Sequence, residues 1–304
     1  MRRPSPRIRL LARHPLLVGL GALSLVFTGA CDVTKELAGE EEREPVRIAV
    51  TDWPGARANA AVVAYLLEEE LGVSVEKVET DPAAAWTQLG EGTTQVLLED
   101  WGALPEQTRL HVEQRQDVVT AGDLGIEGHV GWFVPGDFAR SHPDVLNWRN
   151  LNDYADQLGG TVLQGDPRFA TREAAIIDEL DLDLRPVAAG SEEALVERIA
   201  QAGTGGTPLL AYFWQPHWLA SRIDLAEIEL PGYYPKITLH KYLNAEFAAE
   251  GGEVVSFLRA FSWTEQDQNA VAELIAGQGM TPRAAAEHWI TANPDTVATW
   301  LTQP

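Results

Sequence analysis

The feature that most limits how this chain can fold begins at Val46. From there, short apolar runs alternate with segments whose apolar residues recur at helical spacing. Residues 46–50 read as a strand. Residues 58–71 read as a helix carrying Glu68, Glu69 and Glu70 on its exposed side. Residues 74–78 alternate like a strand, 83–89 are helical, and 95–98 form a third strand. Parallel strands need a long crossover, usually a helix, so this order predicts a parallel sheet covered by helices.

The pattern then repeats with a change. Residues 129–134 form an apolar strand ending at Pro135, followed by a helix at 151–158 and a strand at 161–163. Helices at 174–180 and 192–202 and a strongly apolar strand at 209–213 complete a second α/β unit. Residues 236–239 read as a strand returning to the first unit, and the tail is helical over 244–261, 265–276, 282–291 and 297–301. The expected architecture is a bilobal α/β fold with one lobe inserted in the other. Residues 46–125 and 221–304 build the first lobe, 126–220 the second, with a hinge near 122–128 and 218–232. Ligands of such folds sit at strand C-terminal ends and between lobes.

The N-terminus lies outside this pattern. Arg2, Arg3, Arg7, Arg9 and Arg13 precede an apolar run over 16–27 and then Thr28-Gly29-Ala30-Cys31. A basic start, a short apolar run and small residues before a cut make residues 1–30 a secretory signal. The run is shorter than the ~20 residues a membrane span needs. Cys31 is the only cysteine and stands at that junction. The junction resembles the bacterial lipobox, with Thr28 in place of its usual aliphatic residue, which implies a lipid on Cys31. The other reading is an incidental thiol. Residues 31–45 are polar and mostly acidic, as a tether would be. Loss of the leader removes five arginines and no acid, leaving the remainder five charges more acidic than the −22 of the whole chain. Such a surface repels nucleic acid.

Ten tryptophans are many for 304 residues, and three follow strands directly. Trp53 and Trp101 each come three residues after a predicted strand, and Trp214 follows one at once. Trp86, Trp148, Trp289 and Trp300 lie in helical or irregular stretches and read as packing. Rings just past strand ends line a cleft. A quaternary ammonium has no N–H to donate, so electron-rich ring faces must hold it, and tryptophan offers the best. Strand-end position alone leaves packing and ligand binding equally open.

Five segments carry a family resemblance. They are Asp52-Trp53-Pro54, Glu99-Asp100-Trp101, Gly131-Trp132-Phe133-Val134-Pro135, Tyr212-Phe213-Trp214-Gln215-Pro216-His217-Trp218 and Phe261-Ser262-Trp263-Thr264. In order and spacing they resemble the glycine betaine/choline substrate-binding family of ABC importers, over about residues 46–301. The resemblance implies a type II periplasmic-binding-protein fold, a quaternary-ammonium solute and an ABC permease with its ATPase as partners. It requires no cofactor or metal. It implies an exported protein, held at the outer face of the cell membrane if Cys31 is lipidated. It makes Trp101 and Trp214 cage walls, with Trp53 and Trp263 next. Trp132 faces either the cleft or the second lobe's interior, and His217 either meets a ligand carboxylate or caps its turn. Backbone N–H groups of Pro54-Gly55-Ala56 at a helix N-terminus are a candidate carboxylate pocket. The acid that choline-binding members place near the first tryptophan is missing, since Gly55 stands there; this favours a betaine.

An exported enzyme is the competing class. The chain has no G-x-S-x-G elbow and no H-E-x-x-H, and its seven histidines pair into no metal spacing. The adjacent acids Glu99 and Asp100 say little in so acidic a chain. No phosphate-binding P-loop is present. A second alternative is a binding protein for an amino acid or taurine-like solute, centred on a salt bridge from Arg168 or Arg172.

Overall fold

The computed structural model describes residues 44–165, 172–230 and 232–302. The leader, Cys31, nearly all of the tether and Arg168 lie outside the described residues. The first lobe starts as expected: β1 (Val46–Thr51), α1 (Pro54–Glu69), β2 (Val75–Thr80), α2 (Pro82–Gly90) and β3 (Val96–Asp100). β1 pairs in parallel with both β2 and β3. α1 is buried on nearly every side, between the sheet and the C-terminal helices, and small residues such as Ala58, Ala60 and Ala61 suit that close packing. α2 is set by Asp81, whose carboxylate accepts the Ala83 and Ala84 N–H groups ahead of Pro82 at the first helical position.

The next strand differs from expectation. β4 runs from Val118 to Pro135, far longer than the predicted 129–134. Its first part pairs antiparallel with β9 (Ile237–Asn244) through Gly128, and its second part pairs with β7 (Ala211–Gln215) from His129 onward. One strand therefore passes from lobe to lobe where a loop-like hinge was expected. The second lobe adds β5 (Thr161–Gln164), β6 (Arg185–Ala188) and β8 (Leu225–Glu227). The sheet order is β2-β1-β3-β9-β4-β7-β5-β6, with β8 on the second half of β4. Because β8 joins that half, the chain stays with the second lobe past residue 221 and returns only with β9.

The predicted helix over 244–261 is two helices, Ala245–Glu250 and Gly252–Ala260, broken where Gly251 and Gly252 adopt φ of +67° and +82°. One apolar core runs from Ile48, Leu66 and Phe257 in the first lobe to Leu195 and Phe213 in the second, and another lies within the second lobe around Trp132, Val162 and Ile176. Among the described residues no helix is long and apolar enough to cross a membrane.

Candidate functional site

A cavity of about 410 Å³ opens between the lobes at their strand ends. The first lobe lines it with Trp53, Glu99, Asp100 and Trp101, and the second with Arg172, Tyr212, Trp214 and Tyr234. The three tryptophans the sequence placed past strand ends are all on this wall. β3 ends at Asp100, so Trp101 is the first residue beyond it, and Trp53 is the N-cap residue of α1. Trp214 lies inside β7, opposite Val130 of β4.

The Trp101 ring owes its place to Gly128. A Cβ on Gly128 would come 2.5 Å from the ring's Cζ3, so the strand bridging the lobes leaves room for an indole only because this residue has no side chain.

Behind Trp53 and Trp101 lies the acid of the Glu99-Asp100-Trp101 motif, to which no role was assigned. Glu99 is 3% exposed. Its Oε1 accepts the indole N–H of Trp53 at 2.6 Å and of Trp101 at 2.8 Å. Its Oε2 accepts the side-chain N–H groups of Asn59 at 2.5 Å and Gln268 at 2.8 Å. Four donors thus converge on one carboxylate, which explains how a buried acid is tolerated. Burial pushes its pKa up, and the four hydrogen bonds oppose that shift. Asn59 and Gly55 bring the first turns of α1 against Glu99, and a helix N-terminus favours an anion there. Among the described residues no Lys, Arg or His pairs with it.

Three further candidate residues stand off the cavity wall. Trp263 is 3% exposed and off the cavity wall. Its indole N–H donates to Asn59 Oδ1 at 2.9 Å, and its ring packs edge-on against Trp289 at 5.3 Å between centroids. It braces the residue that holds Glu99 and does not face the cavity. Its loop is seated by Gly125, at φ +88°, where a Cβ would lie 2.7 Å from the Trp263 carbonyl oxygen. Trp132 is fully buried in the second lobe's core and off the cavity wall, although alternation along β4 puts it on the same face as Val130, which does line the cavity.

His217 is also off the wall. Its Nδ1 accepts the Leu219 N–H at 3.1 Å, capping the turn Trp218–Ser221. That fixes the proton on Nε2, which donates to Glu192 at 2.9 Å. Burial lowers its pKa, against the pull of Glu192. The ring stands edge-on to Trp214 at 5.0 Å and supports the cage from behind.

Pro54, Gly55 and Ala56 do not line the cavity either; Gly55 turns toward Glu99 and Gln268. Among the described residues the cation on the wall is Arg172, exposed, with its guanidinium 3.5 Å from the Tyr233 carbonyl oxygen. The sequence reading missed the tyrosines. Tyr212 lies 6.1 Å from Trp214 and 6.4 Å from Tyr234, and Tyr234 donates its hydroxyl to the buried Glu173 at 2.6 Å. Burial raises both phenols well above their ordinary range, so they remain neutral. Tyr233-Tyr234-Pro235 just before a strand was the available signal, and it went unused because it precedes the strand.

Known proteins share this fold. The model of the substrate binding domain of ABC-type glycine betaine transport systems matches residues 44–292. The glycine betaine/carnitine transport binding protein GbuC of Listeria monocytogenes is 27% identical over 154 residues, 49% of this chain and 51% of that protein. The match thus spans about half the length of that curated relative. Lactococcal OpuAC, solved closed around glycine betaine, superposes with a TM-score of 0.74 at 21% identity, over 86% of this chain and 100% of the other. A choline binding protein of an ABC transporter, solved with choline, gives 0.72 at 21% over 85% and 91%. ProX of Borrelia burgdorferi gives 0.73 at 17% over 85% and 97%. The structural likenesses establish the type II periplasmic-binding-protein fold. The family match runs from the first residue of the described fold to the end of the helix Pro282–Ala292, and on that extent the chain belongs to the substrate-binding domains of ABC-type glycine betaine transport systems.

Proposed function

We propose that this protein captures a zwitterionic quaternary-ammonium solute, glycine betaine or a close relative, and delivers it to an ABC permease and its ATPase. The observation that carries the reading is the pairing of Trp101 from one lobe with Trp214 from the other across a single cavity, with Trp53 beside them. Indole ring faces suit a trimethylammonium group, which has no N–H to donate. Arg172 on the same wall suits a carboxylate at the other end of the ligand. The relatives' ligands support the class: glycine betaine and carnitine for the Listeria protein, glycine betaine for lactococcal OpuAC.

Calorimetric titration with glycine betaine, carnitine, choline and unmethylated glycine tests this. Glycine betaine or carnitine should bind tightly, choline more weakly for want of a carboxylate, and glycine not detectably. Glycine binding as well as its trimethylated form, or no binding by any of the four, would sink the proposal. The first outcome would favour the second reading, a solute held by a salt bridge at Arg172.

Export and anchoring belong to the same reading. The leader sends the chain across the membrane, and Cys31, at the end of the leader, carries the lipid. Cys31→Ser should release the protein from the membrane fraction or leave the leader uncut; unchanged processing and retention would remove the anchor.

A further inference from the structure

We infer that Glu99 is a specificity-determining residue, a buried carboxylate whose missing counter-cation is the ligand itself and whose two bonds to indole N–H groups aim the Trp53 and Trp101 faces at it. The inference rests on the tryptophan-cage reading of the cavity.

A buried carboxylate is normally paired with a cation, because desolvation makes an isolated charge costly. Glu99 is 3% exposed, lies on the cavity wall and has no cationic partner among the described residues. Its four neighbours are neutral donors. They hold its oxygens in place while leaving its charge uncompensated. Two of them are the indoles that form the first lobe's share of the wall. An N–H donated to an anion draws the ring edge toward the carboxylate and leaves its face for the cavity. The same negative charge reaches a cation in the cavity through a low-dielectric medium, where it acts more strongly than in water. Ring faces already favour (CH₃)₃N⁺ over (CH₃)₃C; an anion behind them widens that preference.

The groups that could mask this effect are few. α1 presents Gly55 and Asn59, and the helix Glu265–Ala272 presents Gln268; none of these titrates. Asp52, before Trp53, is paired with Arg57. Asp100, next along β3 and also on the wall, accepts the Gly102 N–H, and burial raises its pKa. Arg172, Tyr212, Tyr233 and Tyr234 face the cavity from the second lobe. Glu99 itself is raised above the ordinary carboxylate range by burial. In the free protein it therefore takes up a proton on acidification sooner than an exposed glutamate would. A bound cation stabilises the ionised form, so binding below that pKa expels the proton and affinity falls with pH.

The test compares glycine betaine with its neutral-head isostere, 3,3-dimethylbutanoate, on the parent and on Glu99→Gln, with thermal melts alongside. At about pH 8, where both ligands are ionised, the parent should prefer glycine betaine strongly, and in Glu99→Gln that preference should shrink by roughly tenfold or more. Between about pH 4.5 and 8 the parent's glycine betaine affinity should fall on acidification, approaching tenfold per unit below the Glu99 pKa, with proton release seen as buffer-dependent heat. The Gln variant should lose that Glu99 component. An unchanged preference and an unchanged pH profile in Glu99→Gln would make Glu99 a structural acid and overturn the inference. If the variant does not fold, the parent decides: equal affinity for the two ligands, or a flat profile without proton release, overturns it. A parent that binds no quaternary ammonium at pH 8 fails the cage reading first and takes this inference with it.

Discussion

Replacing Trp101 and Trp214 together with alanine is expected to abolish tight binding of quaternary ammoniums while leaving a folded protein. Each ring over a desolvated cation contributes on the order of 2 kcal/mol, so losing both costs roughly 4 kcal/mol, a several-hundredfold rise in Kd. Single Trp→Ala changes should each cost about tenfold or more, and Trp→Tyr less, because a weaker face remains. Trp101 is half-buried and packs only at the edge of the core that holds Ile48 and Leu66, so its removal should cost little stability. Trp214 is 6% exposed and packs on Phe213 and His217, so its variant should also melt earlier. The control is Trp148→Ala. Trp148 packs against the second lobe's core beneath Arg149, off the cavity wall, and should lower stability alone. Calorimetry on the folded fraction separates the two effects. A double variant that binds glycine betaine like the parent would remove the cage.

Lys241→Met should bring the largest loss of stability. Lys241 is a fully buried lysine in the middle of β9. Its ammonium donates to the carbonyls of Leu258 at 2.9 Å and Arg259 at 3.0 Å, and to that of Phe261. The three N–H groups of one ammonium thus satisfy carbonyls at the C-terminus of the helix Gly252–Ala260, where a cation is also favoured by the helix dipole. Methionine fills the volume and donates nothing. Each buried carbonyl left without a donor costs about 1–3 kcal/mol, so the loss should reach roughly 3–5 kcal/mol. At ~2–4 °C per kcal/mol for a domain of this size, Tm should fall on the order of 10 °C. A fall of less than about 3 °C would show that water or a shifted helix end replaces the lysine.

What could be read without coordinates was what depends on neighbours in sequence. Strand and helix periods are local, so the order from β1 to β3 and the helices of both lobes were legible, and so were tryptophans at strand ends. β4 was underestimated because its first part carries Gly122, Gly125 and Gly128, which read as a break. Their glycines serve contacts that only the fold creates: Gly128 faces Trp101, and Gly125 faces the backbone of Trp263.

The site's second layer was hidden for the same reason. Trp132 and Trp263 sit in motifs of the same set as those of Trp101 and Trp214, yet whether each ring reaches the cavity depends on how deeply the fold buries it and on a partner such as Asn59, 204 residues away from Trp263. Glu99 opens one of the motifs, but as one of 45 acidic residues it pointed to no role of its own. Its role is made by donors from positions 53, 59, 101 and 268, and Gln268 lies 169 residues away. The sequence by itself determined the lobes and the set of rings able to hold a cation. Only the tertiary structure decided which rings face the cavity and which carboxylate stands behind them, because burial and hydrogen-bond convergence are properties of distant segments brought together.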